Sequence, residues 1–135
     1  MSVPLPLADM PRPASGHFAG GRHYYPVRVF FEDTDAGGIV YHANYLRFME
    51  RARSDMLRVV GIDQRGALTS GEGTYAVTRI TLDYRLPARL DDDLVIVSKT
   101  TRVTGATVTI AQDIVRGGDM LTTGEVSVEI GRAHV

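Results

Sequence analysis

From about Asn44 the apolar residues Tyr45, Phe48, Met49, Ala52, Met56 and Val59 recur three and four positions apart. Arg47, Glu50, Arg51, Arg53, Ser54 and Arg58 fill much of the remainder. This spacing predicts one helix of about four turns with a core face and a wet face. Gly61 is placed to end it as a left-handed residue. Downstream the period falls to two. Ile80, Leu82, Tyr84 and Leu86 alternate with Thr81, Asp83 and Arg85, and Pro87 ends or interrupts that strand. Leu94 to Arg102 is rich in Val, Ile and Thr. Thr107 to Val115 sets Val108, Ile110, Gln112 and Ile114 against Thr109, Ala111 and Asp113, and Leu121 to Ile130 sets Val126, Val128 and Ile130 against Glu125, Ser127 and Glu129. Upstream, Tyr24 to Phe31 reads as a first strand.

Thr104-Gly105-Ala106 and Gly117-Gly118 are turn signals between these runs, and Ile62 to Gly73 reads as a connecting loop. The order is therefore strand, long helix, then four strands joined by short turns. Short turns impose antiparallel pairing, and one helix with a single apolar face must be covered by the sheet. The expected architecture is α+β: a curved five-stranded antiparallel sheet around one long helix.

Composition narrows the partners. A chain of 135 residues suffices for one core without staples. Residues 1–22, with Pro4, Pro6, Pro11 and Pro13, read as a flexible lead-in, and 23–135 as the domain. The lead-in lacks the basic start of a secretory signal. Net charge is −1 with both signs interspersed, which gives no basic face for nucleic acid. No run approaches the length of a transmembrane segment. There is no cysteine, which removes disulfides, thiolate metal sites and a cysteine nucleophile. The cytoplasm is the expected compartment.

The chemistry concentrates in Phe30-Phe31-Glu32-Asp33-Thr34-Asp35-Ala36-Gly37-Gly38-Ile39-Val40-Tyr41-His42-Ala43-Asn44-Tyr45. Two carboxylates stand two residues apart ahead of a glycine pair and a helix start, whose unpaired N–H groups favour developing negative charge. Asp35 alone could be a turn aspartate satisfying loop N–H groups. Asp33 and Glu32 read as loop braces. Gly38 either turns the chain or permits a close approach. The histidines His17, His23, His42 and His134 have no ligand spacing, and neither G-x-S-x-G nor a phosphate loop occurs.

This run resembles the signature of the 4-hydroxybenzoyl-CoA thioesterase-like branch of the hotdog-fold acyl-CoA thioesterases, and within it the Tol-Pal-associated members. The likeness extends through Glu50-Arg51-Ala52-Arg53 and Tyr84-Arg85-Leu86-Pro87-Ala88-Arg89-Leu90-Asp91-Asp92, roughly Tyr25 to Ile130. The resemblance implies hydrolysis of acyl-CoA to free acid and CoA, with Asp35 as nucleophile or general base. It places an oxyanion-binding backbone N–H at His42, whose imidazole is either structural, substrate-contacting or catalytic. It further implies substrate contacts at Gly38 and Tyr41, with Arg102 as the candidate for the CoA phosphates. Some relatives carry a basic cluster at that last turn and this chain does not, so CoA and acyl carrier protein both stay open as carriers. No cofactor or metal is implied. The working unit would be a homodimer or homotetramer with the site at the subunit interface. The alternatives are a hotdog-fold hydratase and a non-catalytic acyl-binding or scaffold protein serving the Tol-Pal machinery of the cell envelope.

Overall fold

The computed structural model describes residues 9–61, 66 and 74–131. The strands are β1 (His17–Ala19), β2 (Arg22–Arg28), β3 (Thr74–Tyr84), β4 (Asp93–Thr104), β5 (Thr107–Arg116) and β6 (Asp119–Gly131), with the helix α1 (Asn44–Val59) between β2 and β3. The expected loop at Ile62 to Gly73 lies, but for Gly66, outside the described residues. No described helix is long and apolar enough to cross a membrane.

All six strands form one antiparallel sheet in the order β1-β2-β4-β5-β6-β3. The α+β expectation holds, with one strand more than the five expected. The extra strand, β1, comes from the segment read as a lead-in and pairs with β2 from His17↔Tyr24 to Ala19↔Arg22. Only three residues long, it lacks the run of alternating apolar positions that marks a strand. β2 also ends earlier than expected, at Arg28, and Phe31–Asp33 coils into a turn of 3-10 helix. The hairpins β4–β5 and β5–β6 form where the glycine turns demand, with Gly105 and Gly117 at positive φ. β3, by contrast, passes over its neighbour in sequence and pairs with β6 at the sheet edge.

The core is the interface between α1 and one sheet face. Tyr45, Phe48, Met49 and Ala52 of α1 are buried with Leu94, Ile96, Ile114, Leu121 and Val126 of the sheet. Burial of side chains such as Phe48 and Met49 contributes about 1.5–3 kcal/mol each. The packing is tight at Gly124, where a Cβ would lie 2.8 Å from Leu82 Cδ2, 2.9 Å from the Gln112 carbonyl oxygen and 3.0 Å from Met49 Cε. A side chain there would clash with the backbone of β5 and crowd the Leu82 and Met49 side chains.

Two expectations about α1 are corrected. Val59, the last residue of the helix, faces solvent. Arg53, assigned to the wet face, is buried, with Nη1 donating to Gln112 Oε1 at 2.8 Å. Gln112 Nε2 in turn donates to Ser98 Oγ and the Met49 carbonyl. Asp55 is buried as well. It accepts from His23 Nε2 at 2.8 Å, the Gly16 N–H at 2.9 Å and Arg58 Nη2 at 2.8 Å, clasping the β1–β2 end of the sheet to the helix. Burial pushes the Asp55 pKa up, but the donors from Arg58, Gly16 and His23 outweigh it, so the carboxyl sits below its ordinary range.

Candidate active site

Between β2 and α1 the chain makes a small hairpin. The Asp35 N–H donates to the Ile39 carbonyl at 2.9 Å, and the Gly38 N–H returns to the Asp35 carbonyl at 3.1 Å. Thr34 bridges Val40, and Ile39 bridges Arg89. The turn closes because Gly38 adopts φ 80, which an L side chain rarely takes. A Cβ on Gly38 would meet nothing within 4 Å in this chain, so the backbone conformation, not crowding, demands glycine here.

The two aspartates are held differently. Asp33 is enmeshed: its Oδ2 accepts from the Phe30 N–H at 2.8 Å, and its carbonyl accepts from the Tyr41 N–H and from Asn44 Nδ2. It braces the loop against the first turn of α1. Asp35 is exposed, and its Oδ1 accepts only the Gly37 N–H at 2.8 Å. Among the described residues its Oδ2 has no partner, which leaves one oxygen free for a substrate carbonyl or a water.

Next to this hairpin lies a recess of about 380 Å³ lined by Ile39, His42, Tyr45, Tyr84, Leu86 and Pro87, among others. Asp35 is not in its wall but is hydrogen-bonded to Ile39, which is. His42 immediately precedes the helix, whose N-cap, Ala43, offers no side chain to satisfy the first N–H groups. Among the described residues the His42 N–H has no acceptor. The positive end of the helix dipole thus lies beside the recess, with the Asn44 N–H held by the Tyr41 carbonyl and the His42 N–H left over.

Tyr84, at the end of β3, fixes His42 in place. Its hydroxyl donates to the His42 carbonyl at 2.9 Å, and its ring meets His42 edge-on at 6.4 Å and Tyr45 at 5.3 Å. Burial, with a smaller contribution from Tyr45, raises the Tyr84 pKa, so the hydroxyl stays protonated and donating at neutral pH. Alternation presents Tyr84 as one more strand residue. Its position just before Leu86 and Pro87, where the chain leaves the sheet, was the available signal.

The far wall, residues 85–92, is pinned from behind. Arg116 Nη1 donates to Asp92 Oδ2 at 2.8 Å, and Asp92 also accepts the Arg89 N–H. Burial raises the Asp92 pKa, but the donors from Arg89 and Arg116 prevail and hold it low. The Ala88 N–H donates to the Tyr45 hydroxyl at 3.1 Å, joining this wall to α1.

The structure places Asp35, Gly38, Tyr41 and His42 in the hairpin and the residues that lead into α1, with the Tyr41 and His42 rings 4.5 Å apart and tilted by 48°. It does not bring Arg102 there. β4 begins next to the site at Asp93, and Arg102 stands nine residues on, about 30 Å along an extended strand. Among the described residues no group of three or more His, Cys, Asp or Glu side chains could hold a metal.

Residues 37–123 match the thioesterase superfamily. The chain is 42% identical over 104 residues to the acyl-CoA thioesterase YbgC of Haemophilus influenzae, covering 77% of this chain and 76% of that protein. It is 45% identical over 105 residues to the acyl-CoA thioester hydrolase YbgC of Escherichia coli O6:H1, covering 77% and 78%. A solved structure of a probable thioesterase from Bartonella henselae superposes with a TM-score of 0.77 at 35% identity, covering 83% of this chain and 93% of that one.

Proposed function

This chain belongs to the thioesterase superfamily and has its hotdog fold, and we propose that it hydrolyses acyl-CoA thioesters to a free acid and CoA with Asp35 as the reactive carboxylate. The observation that carries this reading is the contrast between the aspartates: Asp33 is bound into the loop, whereas Asp35 keeps an oxygen free in the hairpin that leads to a helix N-terminus without a side-chain cap. A thioester carbonyl placed against the His42 N–H would have its developing negative charge met by that donor and the helix dipole. Asp35 either attacks the carbonyl carbon, forming an anhydride that water opens, or takes a proton from the attacking water. In both routes the CoA thiolate leaves and is protonated.

Two features favour a second copy of the chain as part of the working site. β3 is a sheet edge with Val77, Ile80 and Tyr84 exposed, a surface that monomeric proteins usually cover or charge. Arg102 stands at the far end of β4 from its own Asp35, so a partner's copy could supply the contact with the CoA phosphates. Thiol release from a panel of aliphatic and aromatic acyl-CoAs tests the activity directly. Turnover of at least one class supports the reading, and no release from any of them, by folded protein, overturns it.

A further inference from the structure

A second recess lies under the other half of α1. It encloses about 150 Å³ and is lined by Arg53, Met56, Tyr75, Val108, Ile110 and Val128, among others. Arg53 lies about 14 Å from Asn44 along the helix, and buried Phe48, Met49 and Ala52 fill the stretch between, so this recess is separate from that at His42. Its walls are mostly apolar, with Arg53, Thr100 and Tyr75 as the polar side chains.

The unusual element is the guanidinium. Arg53 is 4% exposed, yet among the described residues no carboxylate lies within ion-pairing distance of it. Its one hydrogen bond goes to the neutral amide oxygen of Gln112, and its buried Nε–H has no acceptor. On the helix, Asp55 is already engaged by His23 and Arg58, and Glu50, one turn before Arg53, is exposed and makes no ion pair with it. A buried cation is ordinarily paired. Here the unmet positive charge borders an apolar cavity, and the complementary occupant is a small molecule with an apolar body and an anionic head.

We propose that this recess is a binding site for a small apolar carboxylate, the body packing among Val108, Ile110 and Val128 and the carboxylate taking the free donor of Arg53. An apolar cavity of about this volume holds one benzene ring, so benzoate is a suitable probe. The site is independent of Asp35 and of the hydrolytic reading.

The test titrates benzoate and, separately, benzyl alcohol into the full chain while methyl resonances are followed. Benzoate should shift Val108, Ile110 and Val128 saturably, and bind about tenfold or more tightly than the alcohol, as expected for one charge-assisted hydrogen bond. Arg53→Met should bring the two affinities together. Ala111→Lys, on the opposite sheet face, should leave the preference intact. Equal affinities in the unaltered chain, shifts confined to Ile39 and Leu86 at the other recess, or no saturable shift at all would each overturn the proposal, whether or not Arg53→Met folds.

Discussion

Tyr84→Phe isolates one hydroxyl. The ring that meets Tyr45 at 5.3 Å and His42 at 6.4 Å remains, and only the 2.9 Å hydrogen bond to the His42 carbonyl is lost. Such a bond contributes about 0.5–1.5 kcal/mol net. Tyr84 is half exposed, so water can replace the donor and the cost to folding falls at the low end. The cost to catalysis is a separate matter. The peptide unit that carries the bonded carbonyl follows the N–H assigned to the oxyanion, so the hydroxyl sets the tilt of the His42 backbone. If the whole 0.5–1.5 kcal/mol appears in the barrier, kcat falls by about 2- to 13-fold. KM should move little, because the hydroxyl positions a donor and does not bind CoA. The assay is thiol release from the best acyl-CoA, with kcat and KM resolved and Tm measured on the same preparations. An unchanged kcat would refute the positioning role. A loss beyond about 10², the range of a missing acid–base group, would instead make the hydroxyl a reacting group.

His42→Ala retains the backbone N–H and should cost less than the ~10²-fold that accompanies loss of an oxyanion donor; a loss as complete as that of Asp35→Asn, in folded protein, would make the imidazole catalytic. Sedimentation at micromolar concentration should give a dimer or larger assembly, since the β3 edge and its apolar side chains need a cover; a monomer would contradict the two-copy site. Asp55→Asn should lower stability at neutral pH by about 1–3 kcal/mol, the cost of weakening a buried charged network. Because the Asp55 carboxyl is held below its ordinary range, its stabilisation is present above that range and is lost as pH falls through the folded-state value. The gap in Tm between parent and variant should therefore close in acid, and a gap that widens there would refute the assignment.

How much of this was legible in the sequence follows from the range of each interaction. The helix and the β4–β5–β6 hairpins were readable because periodicity and glycine turns act between near neighbours. The pairing of β3 with β6 was not, since nothing local distinguishes an edge strand that skips its successor. β1 was hidden in a proline-containing stretch whose anchor, Asp55, lies about forty residues away. Arg53 was assigned to solvent on residue type, and only the sheet partner Gln112 explains its burial. At the site, the Asp-x-Asp run, the glycine pair and the helix start were visible in one segment. The support from Tyr84 and Asp92 was not, because it comes from distant strands and loops brought alongside by the sheet.

The central claim is that Asp35, not Asp33, reacts, and the most direct measurement compares Asp35→Asn with Asp33→Asn in acyl-CoA hydrolysis. Asp35→Asn is nearly isosteric, and the amide oxygen can still accept the Gly37 N–H. It should keep its Tm and its acyl-CoA affinity while turnover falls by at least ~10²-fold. Asp33→Asn weakens the bond from the Phe30 N–H and should lose stability of order 1 kcal/mol while keeping most of its rate. An inactive, folded Asp33→Asn beside an active Asp35→Asn would show that the wrong carboxylate is named, and wild-type rates in both would contradict the mechanism altogether.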